Sequence, residues 1–238
     1  MSIKIENTQV FGWEAAIRGS RNPMNSWKKS DSEFYNEEAQ EFPHDKLTGL
    51  IKIGPNDHKL LMNLCKGGTE ESKWRRMVHV QMDVTAPLYW WKEFETYKVG
   101  TVSNSCSTMH KIHAKEFTLD DFSYEHLFDQ QDDIFASIEG LPFADKETWI
   151  CPKMLMWELI QMLNFYREKF LETKDKRYWW QMIQLLPSSY NQKRTIDLNY
   201  EVLAAQYRQR KDHKLDEWRQ YCDWIKTLPY SEFITLEE

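Results

Sequence analysis

Nowhere in this chain do eighteen apolar residues run together, which excludes a membrane-spanning helix of ordinary length. The opening stretch MSIKIENTQVFGWEAAIRG lacks the uninterrupted apolar core of a secretory leader, so a soluble, cytoplasmic protein is expected. Cysteine is scarce: four residues, at 65, 106, 151 and 222, with no C-x-x-C pair, suggest neither a zinc ribbon nor a disulfide framework. Reduced thiols fit best. Positive charge is also short, at 31 Lys and Arg against 37 Asp and Glu. A net charge of -6 argues against a broad electrostatic grip on nucleic acid, and leaves room only for a local basic pocket. The chain has no P-loop, no G-x-G-x-x-G and no H-E-x-x-H, so the usual triphosphate, dinucleotide and zinc-protease motifs are missing.

What is present is a folded, helix-favouring composition: 238 residues, 41% apolar and 29% charged, with eight Gly and eight Pro. That length suffices for one large domain, and the lack of any internal repeat, low-complexity tract or linker points to a single domain over 1–238. Eleven Trp are many for this length. They read first as core filling, with an aromatic binding platform as the other reading.

Along the chain, Ile3, Ile5 and Val10 to Trp13 read as a first strand, and EAAIRG as a short helical turn closed by Gly19. SRNPMNSWKKSDSEF is a polar connection in which Arg18, Ser20, Arg21 and Asn22 gather donors. A helix is expected over Pro55 to Lys66, capped by Asn56 or Asp57 and stopped at Gly67, with another around Glu70 to Arg76. Val78, Val80, Met82 and Val84 alternate with His79, Gln81 and Asp83, the pattern of a half-buried strand. Pro87 suits a first helical position near a Thr85 cap, so LYWWKEFET becomes an aromatic helix, followed by an extended segment broken at Gly100. The region 114–148 is acidic and loop-like, with FTLDDFSYEHL as a capped helix. In the last third, Leu155, Leu159, Met162, Leu163, Tyr166 and Phe170 form a core-facing helical stripe. Lys176 to Leu186 reads as a helix and LPSSYNQKRT as a turn; Arg194 to Arg210 and Lys214 to Leu228 read as two further helices.

The stretch APLYWWKEFETYKVGTVSNSCSTMH, 86–110, resembles the signature region of the flavin-dependent thymidylate synthases. That family reads A-P-x-x-x-A-R-Q-x-x-R-H-R and then S-x-N-E-x-S-x-R-Y. Ala86 and Pro87 match; Lys92 and Glu93 stand for Arg-Gln, Thr96, Tyr97 and Lys98 for Arg-His-Arg, and Cys106 and Thr108 for the final Ser-x-Arg. Near the C-terminus Leu186 and Pro187 fit the family's L-P, Asn199 falls on its flavin-contacting Asn and Arg210 on its nucleotide-phosphate Arg. Ile183 stands where the family has a further nucleotide-contacting Arg, and EAAIRGS looks like A-A-R-x-S, with Ser20 in the flavin-contacting place.

The resemblance implies an α/β (α+β) fold with a central mixed or antiparallel sheet and a helical C-terminal third. It further implies a homotetramer with sites between subunits, FAD as cofactor, and NADPH and a methylene folate as co-substrates. Ser20, Tyr97, Lys98, Asn104 and Asn199 become flavin contacts, and Glu93, Cys106, Thr108 and Arg210 contacts to a pyrimidine nucleotide such as dUMP. The family needs no protein nucleophile, so no catalytic residue is assigned. Each lost phosphate-binding guanidinium removes about 1.5–3 kcal/mol unless Arg18, Arg21, Lys193 or Arg194 replaces it. A divergent enzyme that alkylates or reduces a pyrimidine nucleotide is the leading expectation; a catalytically silent nucleotide-binding or interaction protein is the alternative.

Two other constellations carry less. Cys106 near His110 and His113 lacks the local signature of a Cys-His hydrolase, and His110-x-x-His113 names no third metal ligand. The run RQRKDHK, 208–214, reads as cations on a solvated helix end, with a nucleic-acid contact as the other reading.

Overall fold

A computed structural model describes residues 3–34, 50–132 and 151–236. The chain forms two compact units. The larger gathers Ile3–Thr85, Lys92–Asn104 and Lys193–Glu238, the smaller Ala86–Trp91 and Ser105–Gln192.

The larger unit is organised by a four-stranded sheet in the order β1-β4-β6-β5, built from β1 (Lys4–Phe11), β4 (His79–Pro87), β5 (Val102–Ser105) and β6 (Asn191–Asn199). A small separate pair, β2 (Glu33–Phe34) and β3 (Leu50–Lys52), runs antiparallel. β1 and β4 are antiparallel, with a register shift between Glu6 and Gln9. Period-two alternation in β4 puts Val80, Met82 and Val84 in the core, while His79, Gln81 and Asp83 line the polar face, where His79 and Gln81 meet Asp197 and Asp83 meets Thr195. These cross-strand pairs descend β6 as they climb β4, so the two strands are antiparallel.

β6 corrects the sequence reading, which placed this segment in a turn and a helix. The helix α7 (Tyr200–Arg210) begins only after Asn199, whose side-chain oxygen accepts from Val202 N at 3.1 Å. Alternation of buried Gln192, Ile196 and Leu198 marks the strand, but the polar run Gln-Lys-Arg-Thr hides it, because Gln192 and Arg194 put polar residues at core-facing positions while Lys193 and Thr195 meet Asp83 on the polar face.

Helix α1 (Trp13–Arg21) starts one residue after β1, so Trp13 belongs to the helix and Gly19 lies inside it rather than closing it. The turn between them is at Gly12, with φ +97°, where a Cβ would come to 2.0 Å from the Met77 carbonyl oxygen. Only glycine fits. Trp13 anchors the aromatic core edge-on to Tyr200, at 5.2 Å, and beside Trp74 and Phe233.

α2 (Pro55–Lys66) is capped from a distance. Gly54 is its N-cap, and the carboxylate of Asp31 accepts from Asn56 N and Asp57 N at 2.9 and 3.1 Å. Neither Asn56 nor Asp57 caps it. Asp57 is instead fully buried, taking Arg21 Nε at 2.6 Å and four donors from Ser30, Asp31 and Ser32. The expected donor loop is thereby stitched down, with 3-10 turns at Asn22–Met24 and Trp27–Lys29. Ser72–Met77, expected as a helix, is likewise 3-10.

α3 (Leu88–Phe94) opens directly after Pro87, the last residue of β4, with Leu88 N and Tyr89 N donating to the carbonyls of Tyr190 and Ser188 rather than to a Thr85 cap. In the smaller unit, α4 (Thr108–Lys111), α5 (Pro152–Thr173) and α6 (Lys176–Leu185) surround a core of Ile112, Phe117, Phe122, Met156, Ile160, Leu163 and Met182. The buried face of α5 is therefore Met156, Ile160, Leu163 and Asn164. Leu155 and Met162, expected inside, are 62% and 47% exposed. Asn164 holds Phe117 by both its amide N–H and its carbonyl, at 2.8 and 2.9 Å. FTLDDFSYEHL gives only the 3-10 turn Leu119–Asp121, closed by a Thr118–Asp121 capping box; the rest of the expected acidic loop beyond 132 lies outside the described residues. The chain ends in α8 (Asp216–Ile225) and α9 (Glu232–Thr235).

Candidate functional site

Two stretches more than a hundred residues apart meet in the larger unit. One is the end of α3 and the turn after it, Glu93 to Gly100; the other is α7 with the turn into α8. Arg210, the last residue of α7, donates from Nη1 to Glu93 Oε2 at 2.8 Å and from Nε to Tyr97 Oη at 3.0 Å. Its guanidinium lies 4.8 Å from the Trp218 ring and 5.7 Å from that of Tyr97, within cation–π reach of both.

Glu93 is held from three sides. Beside Arg210, Trp218 Nε1 donates to the same Oε2 at 3.0 Å, and His213 Nε2 lies 3.4 Å away. His213 Nδ1 accepts from Leu215 N, so the proton of a neutral ring sits on Nε2, facing the carboxylate. Tyr97 completes the chain by donating to Gln209 Oε1 at 2.8 Å. The guanidinium and carboxylate cancel, and both are partly exposed, at 19% and 34%.

Asn199 reaches the same stretch from the start of α7. Gly100 has φ +75°, which a side chain adopts only with strain, and a Cβ there would crowd Asn199 Nδ2 at 3.0 Å. Of the residues singled out from sequence, Glu93, Tyr97, Asn199 and Arg210 are thus gathered around one segment. Lys98 and Asn104 are exposed, the latter on β5. Thr101, between them, keeps a buried hydroxyl with no hydrogen-bond partner among the described residues.

The remaining expected residues make other contacts among the described residues. Ser20 donates to Ala16 O within α1 and lines a groove of about 600 Å³ with Lys73, Trp74 and Met77. Cys106 and Thr108 belong to the smaller unit: Cys106 is exposed, its carbonyl accepting from Gln192 Nε2 at 2.8 Å, and Thr108 opens α4 behind its Ser107 cap. His113 turns away, edge-on to Phe170. No group of three or more His, Cys, Asp or Glu able to hold a metal is found among the described residues.

Each replacement cation already has a carboxylate partner. Arg21 is buried on Asp57, which corrects its reading as a loop donor; Arg18 pairs with Glu14, Lys193 with Asp83 and Arg194 with Glu95. Ile183, where the resembling family has an Arg, packs on the apolar core of the smaller unit. Sequence reasoning missed His213 and Trp218. His213 sits in the RQRKDHK run read as a solvated face, yet it and Arg210 turn inward; only the helix spacing of Trp218 from Tyr221 and Cys222 signalled a buried side of α8.

With this geometry in view, comparison with solved structures is decisive for the fold. Thymidylate synthase X from Helicobacter pylori, in two structures with FAD and dUMP, superposes with TM-scores of 0.59 and 0.58. Each match covers 98% of this chain and 95% or 96% of the other, at 13% identity. The fold is that of the flavin-dependent thymidylate synthases. No protein-family model matches the sequence, and no curated protein does. Among the described residues no helix is long and apolar enough to cross a membrane.

Proposed function

We propose that the chain is a divergent relative of the flavin-dependent thymidylate synthases in function as well as fold, binding a pyrimidine nucleotide or a related pyrimidine beside a flavin for reductive alkylation of the base. The observation that supports this is the meeting of Arg210 and Asn199 with the Glu93 to Gly100 stretch, the two remote segments that carry the resemblance.

The residues present fit a flavin in kind. Lys98 offers one ammonium for a phosphate, and Asn104, the orphaned Thr101 hydroxyl and Ser20 offer amide and hydroxyl groups for ring edges and the ribityl chain. Bound FAD would supply the electron transfer, with NADPH and a methylene folate as the expected reductant and carbon donor. The chain's own part is to orient: Arg210, within cation–π reach of Trp218, fixes one end of the pyrimidine ligand, and Tyr97 holds Arg210 in place. Assembly of copies of the chain belongs to the same proposal. It is supported by α5, whose Leu155, Met162 and Phe165 are exposed on the side away from its buried residues, with Trp157 exposed on a flank.

A catalytically silent pyrimidine binder is the second reading, favoured by the Glu93 carboxylate that cancels Arg210. Adding FAD to purified protein and reading the flavin spectrum separates the two, with a red-shifted, structured band expected for the enzyme. Pyrimidine nucleosides and nucleotides should raise the melting temperature, and Arg210→Ala should remove the shift. A colourless protein that still responds to pyrimidines is the silent binder; one that responds to neither overturns both readings.

A further inference from the structure

We infer that Glu93 sets the substrate class of this site, turning it from phosphomonoesters toward pyrimidines at the nucleoside level, an inference that rests on the pyrimidine-binding reading above. A dianionic phosphate wants uncompensated donors. Here Arg210 has one nitrogen on Glu93 and another on Tyr97, leaving Nη2 as the part of the guanidinium without a hydrogen bond among the described residues. A phosphate brought to Nη2 arrives beside a carboxylate, and like charges at contact distance are costly in a half-buried site.

Glu93 does not swing aside cheaply. Its Oε2 carries the Arg210 and Trp218 donors at 2.8 and 3.0 Å with His213 at 3.4 Å, so moving it strands the indole N–H of Trp218 and uncouples the guanidinium. His213, whose Nδ1 accepts from Leu215 N, turns its Nε2 toward Glu93 and adds to the groups that hold the carboxylate. The Arg210 and Glu93 pair leaves one donor, Nη2, and one acceptor oxygen, Glu93 Oε1, without a hydrogen bond among the described residues. A sugar hydroxyl, which accepts and donates at once, satisfies both; a phosphate satisfies only the first. The 5′-hydroxyl of a deoxyribonucleoside has that chemistry.

The experiment is calorimetric titration of the full chain with deoxyuridine, deoxycytidine and their 5′-monophosphates at fixed ionic strength, repeated on Glu93→Gln. In the wild type a nucleoside should bind at least about tenfold more tightly than its monophosphate, the size of one lost charge-assisted contact. Glu93→Gln, which keeps an acceptor but removes the charge, should reverse the order. Equal or tighter monophosphate binding by the wild type overturns the inference while leaving the pyrimidine reading intact. A Glu93→Gln protein that melts like wild type but gains nothing for monophosphates also overturns it. If no pyrimidine binds either protein, the underlying reading fails and this inference with it. The wild-type ranking stands even if the variant does not fold.

Discussion

At the residue scale, two positions carry more stability than their chemistry suggests from sequence. Asp57 has no exposed surface and five donors. Burial alone would raise its pKa, but the hydrogen bonds from Ser32, Ser30 and Arg21 outweigh it and hold the carboxyl below its ordinary value. A depressed folded pKa contributes stability that is present above the unfolded value near 3.8 and is lost as pH falls through the folded one. Denaturant melts at stepped pH should therefore show Asp57→Asn converging on wild type at low pH. Near neutrality the variant should be less stable by about 3–5 kcal/mol, since it leaves Arg21 buried without its partner. A constant difference across pH would contradict the ion-pair account. Gly12 makes the second case: any Cβ meets the Met77 carbonyl, so Gly12→Ala should cost at least about 1–3 kcal/mol in the same assay, whereas Gly19→Ala, inside α1 with its nearest neighbour 3.6 Å from an added Cβ, should show no such penalty.

At the element scale, α5 decides between two apolar stripes that both satisfy helical spacing. The one through Leu155 and Met162 is exposed; the one through Met156, Ile160 and Leu163 is buried. Leu163→Ala should cost about 2–5 kcal/mol, and Leu155→Ala within about 0.5 kcal/mol for the isolated chain. Thermal unfolding at low protein concentration checks the pair, and similar losses at both positions would mean that Leu155 is covered in solution. A helix apolar on nearly all sides cannot announce which face its own chain covers. A related ambiguity affected β6, where polar Gln192 and Arg194 at core-facing positions mask a two-residue period.

At the scale of the whole molecule, the match to the thymidylate synthase X structures spans nearly the full chain at only 13% identity. Packing explains how this is possible. The frame rests on buried positions such as Val80, Met82, Val84, Trp90, Trp91, Ile196 and Leu198, which tolerate exchange of one apolar side chain for another, whereas a phosphate contact tolerates no loss of its cation. For the proposed assembly, light scattering on purified protein should give a mass that is a multiple of 28.8 kDa. Phe165→Glu, on the exposed side of α5, should return it to 28.8 kDa without lowering helix content. A wild-type monomer at tens of micromolar would remove the assembly from the proposal.

The sequence alone settled the elements whose periodicity is strong and one-sided: the alternation of β4, the span of α2 and the aromatic helix α3; Asn199 and Arg210 stand out in it only through the family resemblance. Local pattern suffices there because each residue's face follows from the period of its own element. Tertiary structure decided what those residues touch. Arg21 reads as a free loop cation and proves to be the buried partner of Asp57; Glu93 reads as a substrate contact and proves to be clamped by Arg210, His213 and Trp218. A charge's function depends on the counter-charge that folding brings beside it, and that partner lies 36 residues away in one case and 117 in the other.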